Sequence, residues 1–180
     1  MRRPALAALF RAALPVAALS ALAFGLGATA ARAETSVLAR AGTWQAFGGT
    51  TSTSRPVCGV AQAMADGSYF GVKLFAGGNN FTIQMGRKDW QIASQQKVKV
   101  EMRVDGSRTW PATASAMRFD DGAAGLEFAL NRSEFELFRL VFRNGAQLRL
   151  QFDSMPEWII DLTGSNAIGD ALQDCVRALR

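Results

Sequence analysis

The chain ends in WIIDL (residues 158–162), TGS (residues 163–165) and NAIGDALQDCVRALR (residues 166–180), and this stretch decides the fold. The first piece has the composition of a short apolar strand, and the second is typical of a turn that caps a helix. In the third piece, apolar residues recur at intervals of three and four, which predicts an α-helix with one buried face. The apolar positions are Ala167, Ile168, Ala171, Leu172, Cys175, Val176 and Leu179.

Cys175 lies on the apolar face of this predicted helix, so its side chain is expected to point into the protein. The chain has two cysteines, and the other is Cys58. In an exported chain, a pair of cysteines with none to spare predicts a disulfide. We therefore expect a Cys58–Cys175 bond that ties the C-terminal helix to an early strand. On the chain-entropy model, a link that closes so long a loop is worth at most about 4–5 kcal/mol.

Residues 1–33 have the pattern of an export signal. Two arginines stand near the start, an Ala/Leu-rich run follows, and Ala31-Arg32-Ala33 offers the small residues that a signal peptidase reads. Proline and glycine interrupt the apolar run, which favours a cleaved signal over a membrane anchor. We predict a signal peptide at residues 1–33, a single β-rich domain at residues 34–180, no membrane span after signal removal, and a periplasmic or secreted location.

The net charge of the chain comes mainly from this leader. The whole sequence has 20 basic and 15 acidic residues, and four of the arginines lie within residues 1–33, so 16 basic residues remain beside the 15 acidic ones. A nucleic-acid partner would need a clustered basic face. The densest basic run, Lys97-Val98-Lys99, alternates as an exposed strand does. We therefore expect no nucleic-acid partner.

Short apolar segments separated by turn dipeptides fill the chain from residue 43 to residue 130. The clearest is residues 98–104, where apolar and charged side chains alternate as in a half-buried strand. The Asp-Gly and Gly-Gly turns between segments favour hairpins. The pattern predicts a mainly β fold, an antiparallel β-sandwich or open barrel with two short helices, of which the C-terminal one is tied by the disulfide. Residues 34–42 are interpreted as a polar lead-in before the first strand.

The other helix is predicted at residues 133–145. Ser133 and Glu136 have the spacing of a capping box, and Asn144-Gly145 is a typical stop signal. The apolar side chains that share one helical face are Phe135, Phe138, Val141 and Phe142. The alternative is a β-hairpin that turns at Asn144-Gly145, and the helix is preferred.

The sequence contains no histidine. This excludes Ser–His–Asp and Cys–His catalysis and histidine-ligated metals. A disulfide between the two cysteines would also remove a thiolate nucleophile. No phosphate-binding or dinucleotide-binding glycine motif is present. We therefore predict no catalytic residues, no cofactor and no metal.

The carboxylates fit structural positions better than catalytic ones. Asp120-Asp121 lies in FDDGAAG, which is typical of a turn, although a carboxylate pair could serve acid/base chemistry or bind Ca²⁺. Glu134 and Glu136 would favour the dipole of the predicted helix. Asp66 and Asp105 each precede Gly-Ser and are interpreted as hairpin residues.

Aromatic side chains are the best candidates for a binding surface. At least two of the four tryptophans are expected in the core, whereas Trp110, beside a turn and followed by proline, is expected to be exposed. We take Trp110, Tyr69 and Trp90 as a possible binding surface. The loops at residues 48–55 and 76–80 are the expected recognition edges.

The order of these features resembles the invasion-associated locus B (IalB) family of exported bacterial proteins. The segments that carry the resemblance are Trp44-Gln45-Ala46-Phe47, Cys58-Gly59-Val60-Ala61-Gln62, Val104-Asp105-Gly106, the helix-like segment before Gly145, the strand Leu148–Phe152, and Ile160-Asp161-Leu162-Thr163-Gly164-Ser165 with its Ala-rich helix. The resemblance implies a small β-rich, non-enzymatic periplasmic or secreted protein, linked in some bacteria to host-cell interaction. It supplies no catalytic residues.

Together these observations favour an exported, non-enzymatic binding or envelope/host-interaction protein of the IalB-like type, whose partner is a protein or envelope component. One alternative is a periplasmic inhibitor of a protease or other hydrolase. A second alternative is a carboxylate-dependent hydrolase or lyase, which would need a pocket that gathers Asp120, Asp121 or Glu101 beside an exposed tryptophan.

Overall fold

A computed structural model describes residues 33–119 and 121–179, which form one antiparallel sheet and two helices. The predicted signal peptide, up to residue 32, and Asp120 lie outside the described residues. The strands are β1 (Glu34–Ala41), β2 (Trp44–Thr50), β3 (Pro56–Ala63), β4 (Tyr69–Phe75), β5 (Asn80–Gly86), β6 (Lys97–Val104), β7 (Trp110–Arg118), β8 (Ala124–Asn131), β9 (Gln147–Phe152) and β10 (Trp158–Asp161). The helices are α1 (Phe135–Asn144) and α2 (Ser165–Ala178).

All ten strands belong to one sheet in the order β1-β2-β3-β4-β5-β8-β7-β6-β9-β10. The first five strands form a meander, and β8 then pairs with β5 so that the second meander continues the same sheet. The sheet curls so strongly that Trp44 in β2 reaches β10. The indole Nε1 of Trp44 donates to the carbonyl of Asp161 in β10 at 3.2 Å. The sheet is not closed into a barrel, since β1 and β10 remain its two edges. The predicted mainly β, antiparallel class with two helices is confirmed.

The core lies on one face of the sheet. Alternate side chains along the paired strands point to this face. In an antiparallel ladder, residues in register share a face. One such row crosses five strands and is buried throughout; it consists of Ala46, Val60, Val72, Ile83 and Phe128. The alternation predicted for β6 is also present, with its four apolar side chains buried and its charged side chains exposed.

Helix α1 fills the core with phenylalanine rings, which confirms a helix and not a hairpin at residues 133–145. Phe138 stacks on Phe142, and Phe142 meets Trp44 edge-on with ring centroids 5.0 Å apart. The predicted capping box is wrong. The cap is provided by Asn131, whose Oδ1 accepts from the Ser133 backbone N–H at 2.9 Å, and a short 3₁₀ turn then leads into the helix.

Helix α2 packs on β1, β2, β3 and α1, and the Cys58–Cys175 disulfide fixes it to β3 across a Cα separation of 5.9 Å. This confirms the predicted bond. Gly48 lies directly beneath the bridge, where a Cβ would come within 2.7 Å of Cys175 Sγ. The Ser165 hydroxyl also donates to the Phe142 carbonyl at 2.9 Å, so α2 begins where α1 ends. We call α1 and α2 the helix layer.

The polar lead-in at residues 34–42 was a wrong prediction, because Glu34–Ala41 is strand β1. Its side chains are almost all exposed, so no apolar alternation marks it in the sequence. The strand forms through pairing with β2 and packing of α2, which are not local features. A bulge between Val37 and Ala39 interrupts this edge, as is common where a strand must not recruit another chain.

Candidate binding site at the 86–96 loop

Residues 86–96 comprise the last residue of β5 and the loop that leads to β6, and this loop begins with a charged turn. The guanidinium of Arg87 donates to both carboxylate oxygens of Asp89, at 2.9 and 2.8 Å. These hydrogen bonds, reinforced by the positive charge, hold the pKa of Asp89 below its usual value. Arg87 also lies over the ring of Trp158 at 5.9 Å, which anchors the turn to the start of β10.

Trp90 fixes the middle of the same loop. Its ring meets Phe152 and Trp158 edge-on, with centroid separations of 5.7 and 5.9 Å. Trp158 is buried, whereas Trp90 is only half-buried. The loop therefore presents the Trp90 indole at the surface, and the core side chains Phe152 and Trp158 support it from below.

On the outer face of the sheet, Tyr69 and Phe119 fill hollows left by glycines. Their rings lie edge-on with centroids 5.3 Å apart. A Cβ on Gly86 or Gly125 would overlap the Phe119 ring, so both positions require glycine for close approach of the aromatic side chain. Removal of the Tyr69 phenol from water raises its pKa to about 12.

Three open clefts meet around this loop, and we call the region the loop end. The Tyr69 cleft has a volume of about 330 Å³ and is lined by Gly67, Tyr69, Gly86, Phe119, Asp121 and Ala123. The Lys88 cleft measures about 400 Å³, and its side-chain lining includes Lys88, Trp90, Gln91, Ile92 and Arg118. The Trp158 cleft measures about 350 Å³ and is lined by Arg87, Asp89, Trp90, Gln91, Met155, Pro156, Glu157 and Trp158.

The structure brings two of the three candidate binding residues to the loop end. Tyr69 lines the first cleft, and Trp90 lines the other two. Trp110 lies elsewhere, and the prediction that it is exposed was wrong, since only 2% of its surface is accessible. Helix α1 covers it, with Phe138 edge-on at 5.8 Å, and its indole Nε1 donates to Glu134 at 3.3 Å. Trp110 is therefore a core residue.

The predicted recognition loops form a separate, tied pair. The guanidinium of Arg55 donates to the carbonyl of Ala76 through Nε and Nη2, at 3.2 and 3.1 Å, and so links residues 48–55 to residues 76–80. Strand β2 continues to Thr50, which shortens the first of these loops.

The carboxylates considered for catalysis have structural partners. Asp121 accepts from the backbone N–H of Ala123 at 3.0 Å, as expected for a turn residue. Glu134 forms an ion pair with Arg108 at 3.0 Å. Glu101 lines two clefts at β6 and β9, of about 50 and 200 Å³, and neither of them contains Asp121 or a tryptophan. Asp120 lies outside the described residues.

The remaining acidic candidates are likewise engaged. Glu136 pairs with Arg139 at 2.9 Å within α1. Asp66 accepts from the backbone N–H of Ser68 at 2.8 Å, and this bond lowers the pKa of Asp66. Both carboxylate oxygens of Asp105 accept backbone N–H groups at the start of β9, from Ala146 and Gln147. A general acid that works near neutral pH needs a raised pKa, which is the opposite of the shift at Asp66 and Asp89.

Within residues 33–119 and 121–179, no group of three or more candidate ligands is placed to hold a metal ion. In the same part of the chain, neither helix has the length and apolar character needed to span a bilayer.

Several residues of the loop end were missed by sequence reasoning. Lys88 lies in the turn after β5, whereas Arg118 is the last residue of β7, and the two share no motif. Only the pairing of β5 with β8 and of β7 with β8 brings them to one cleft. Phe119 gave no signal beyond an apolar residue at a strand end. A hint existed in the glycines of β5 and β8, because glycine within a strand marks close approach of another group.

Comparison with known proteins supports the fold. No protein-family model matches the sequence, and no curated protein matches it. Three solved chains match in structure, and one is the crystal structure of invasion associated protein B from Bartonella henselae. That match has a TM-score of 0.50 and 18% sequence identity, and it covers 77% of this chain and 99% of the Bartonella chain.

The fold resembles that of invasion associated protein B. The resemblance to the IalB family inferred from the sequence is therefore confirmed as a distant one. At this identity the match establishes shared architecture. The Cys58–Cys175 disulfide fits a protein that is found outside the cytoplasm.

Proposed function

We propose that this chain is an exported, non-enzymatic binding protein of the IalB-like type, which contacts a protein of the cell envelope or of a host through the loop end. The observation that carries the proposal is the meeting of three open clefts around residues 86–96, with the half-buried ring of Trp90 between two of them. Ligand contacts favour loops that a rigid sheet positions.

Chemistry and architecture support a binding function over catalysis. The sequence has no histidine, and both cysteines form the disulfide. The described carboxylates that line the Trp158 cleft, Asp89 and Glu157, are each paired with an arginine, at 2.8 and 2.5 Å. The Bartonella protein of similar fold is described as invasion associated, which suggests a host-interaction role for this chain as well.

Affinity capture from a periplasmic extract and from a host-cell extract tests the proposal. Full-length exported protein is the bait, beside the variants Gln91→Glu and Gln147→Glu. Both glutamines are exposed, but Gln91 lines two clefts of the loop end whereas Gln147 begins β9. We expect a partner that the wild type and Gln147→Glu retain and that Gln91→Glu loses.

Recovery of no partner, or equal loss with both variants, would contradict this function. If the partner is a single hydrolase whose activity falls on binding, the function is inhibition and the envelope role is wrong. If the purified protein itself turns over a substrate, and an acidic residue of the loop end is needed for turnover, the hydrolase alternative replaces binding.

A further inference from the structure

The Lys88 cleft carries two cations that have no acidic partner among the residues that the structure describes. Neither Lys88 nor Arg118 forms an ion pair with a carboxylate among the described residues, in contrast to Arg87 one position earlier, which is bound to Asp89. Arg118 Nη2 donates to the Ile92 carbonyl at 2.9 Å, and this bond holds the guanidinium at the cleft wall. A guanidinium has five N–H donors, so donors remain for a ligand.

Lys88 stands at the boundary between this cleft and the Tyr69 cleft. The aliphatic part of the Lys88 side chain passes close over Gly67. A Cβ on Gly67 would lie 2.5 Å from Lys88 Cε and 3.0 Å from Lys88 Nζ. Gly67 lines the Tyr69 cleft, and Ala123 lines both clefts. A single ligand can therefore place an apolar group against Tyr69 and an acidic group against the two cations.

None of the described acidic side chains nearby forms an ion pair with either cation. Asp66 and Asp121 each accept a backbone N–H in their own turns, and Asp89 forms an ion pair with Arg87. Asp121 borders the Tyr69 cleft, whereas no described residue that lines the Lys88 cleft is acidic. The charge of the Lys88 cleft therefore favours an anion, and the adjoining cleft favours an apolar neighbour of that anion.

We propose that the Tyr69 and Lys88 clefts together bind a protein segment in which a carboxylate lies beside an aromatic or large apolar side chain. The volumes, about 330 and 400 Å³, suit a side chain each. Small-molecule sites usually enclose most of the ligand surface, whereas both clefts are open, which favours a segment presented by a partner protein. This inference rests on the proposed binding function and adds the chemistry of the ligand.

The probe for the test is N-acetylphenylalanine, which carries a carboxylate and an aromatic ring. Its neutral amide lacks the charge, and acetate lacks the ring. In an NMR titration, we expect N-acetylphenylalanine to shift the Trp90 indole and Ala123 amide signals, and the amide and acetate to bind about tenfold more weakly or worse. Equal binding of the amide, or shifts confined to other regions, would overturn the assignment.

The matched variants are Lys88→Gln/Arg118→Gln and Lys97→Gln/Lys99→Gln, which remove two cations from the loop end and two from β6. The first pair should lose N-acetylphenylalanine binding by about tenfold and the second should keep it. If loss of the Arg118 hydrogen bond lowers the melting temperature, Lys88→Gln alone decides the result, because Lys88 is exposed. Unchanged binding in Lys88→Gln and in the double variant contradicts the proposal.

Two further experiments distinguish this inference from a lipid-binding site and from the proposed function alone. Vesicles that contain phosphatidylglycerol, if bound through Lys88 and Arg118 while N-acetylphenylalanine is not, would replace the peptide with an anionic lipid surface. In affinity capture, recovery of the same partner by wild type and Lys88→Gln/Arg118→Gln would leave the proposed function standing and remove the anion site. Recovery of nothing by either protein would contradict the function, and the titration would then decide the site alone.

Discussion

The helix layer and the loop end are both rich in aromatic side chains, but they use them differently. In the helix layer, Phe135, Phe138 and Phe142 are all less than 5% exposed, and a disulfide fixes the neighbouring helix. At the loop end, Trp90 is half-buried, Phe119 lies on the outer face, and open clefts separate the side chains. The comparison indicates that the helix layer stabilises the fold, whereas the loop end keeps aromatic side chains accessible for the proposed binding.

The largest expected effect comes from the centre of the helix layer. Phe138 contacts the rings of Phe81, Trp110 and Phe142 and is almost fully buried, so Phe138→Ala should lower the free energy of unfolding by about 3–5 kcal/mol. Leu140→Ala on the same helix is the control, because Leu140 is 53% exposed, and it should cost less than about 1 kcal/mol. Urea unfolding measures both. Similar losses would show that α1 is not part of the core.

The disulfide should follow in size. Cys58→Ala/Cys175→Ala is expected to lower the free energy of unfolding by about 2–4 kcal/mol, since the bond closes a loop of 117 residues. Asp174→Asn is the control, because Asp174 lies next to the bridge in sequence and makes only an exposed ion pair with Arg177. Thermal unfolding compares the variants, and an equal drop in melting temperature would refute the anchoring role. Mass spectrometry should find no free thiol in the exported protein.

A smaller effect is expected at the turn before α2. Asp161 accepts from the Thr163 hydroxyl and backbone N–H at 2.7 and 2.8 Å, and these bonds lower the pKa of Asp161. Asp161→Ala should therefore lower the free energy of unfolding, by less than either substitution above. Because the folded pKa lies below the ordinary value of 3.8, this stabilisation is present above pH 3.8 and is lost as the pH falls through the folded pKa.

Asp170→Ala provides the comparison for that substitution, since its ion pair with Arg143 is exposed and should contribute little. Urea unfolding at neutral and acidic pH checks both variants. If the Asp161→Ala defect persists unchanged at low pH, hydrogen bonding by the carboxylate is not its cause.

At the loop end, the expected effect is a shift in the pKa of Tyr69, with little change in stability at neutral pH. Tyr69 is the single tyrosine, so phenolate absorbance reports on it alone. We expect a midpoint near pH 12 in the folded protein, against 10 for an ordinary tyrosine. Because the raised pKa favours the neutral phenol in the fold, the associated stability is complete below pH 10 and declines as the pH rises through 12. A folded-state midpoint at pH 10 would show that the Tyr69 phenol is exposed to water.

The helix layer was largely predictable from sequence. The apolar spacing of α2 predicted its buried face, and elimination among two cysteines predicted the bridge, because both are local or countable features. Small departures were not predictable, for example the exposure of Ala167 and the cap supplied by Asn131. The burial of Trp110 also escaped, since the helix that covers it comes later in the chain.

The loop end was predictable only in part. Tyr69 and Trp90 were recognised as aromatic side chains near turns, which is a local signal. Their meeting with Lys88 and Arg118 depends on a strand order in which β5 pairs with β8 and not with β6. Such long-range pairing leaves no periodicity in the sequence, so the clefts appear only in the folded chain.

The most direct test of the comparison is site-specific photo-crosslinking in cells that export the protein. A photoreactive p-benzoylphenylalanine replaces Gln91 at the loop end in one variant and Asp174 in the helix layer in another; both positions are exposed. We expect a discrete adduct with a partner protein from position 91 and none from position 174. An adduct from position 174 alone, or from neither position while the protein remains folded and exported, would contradict it.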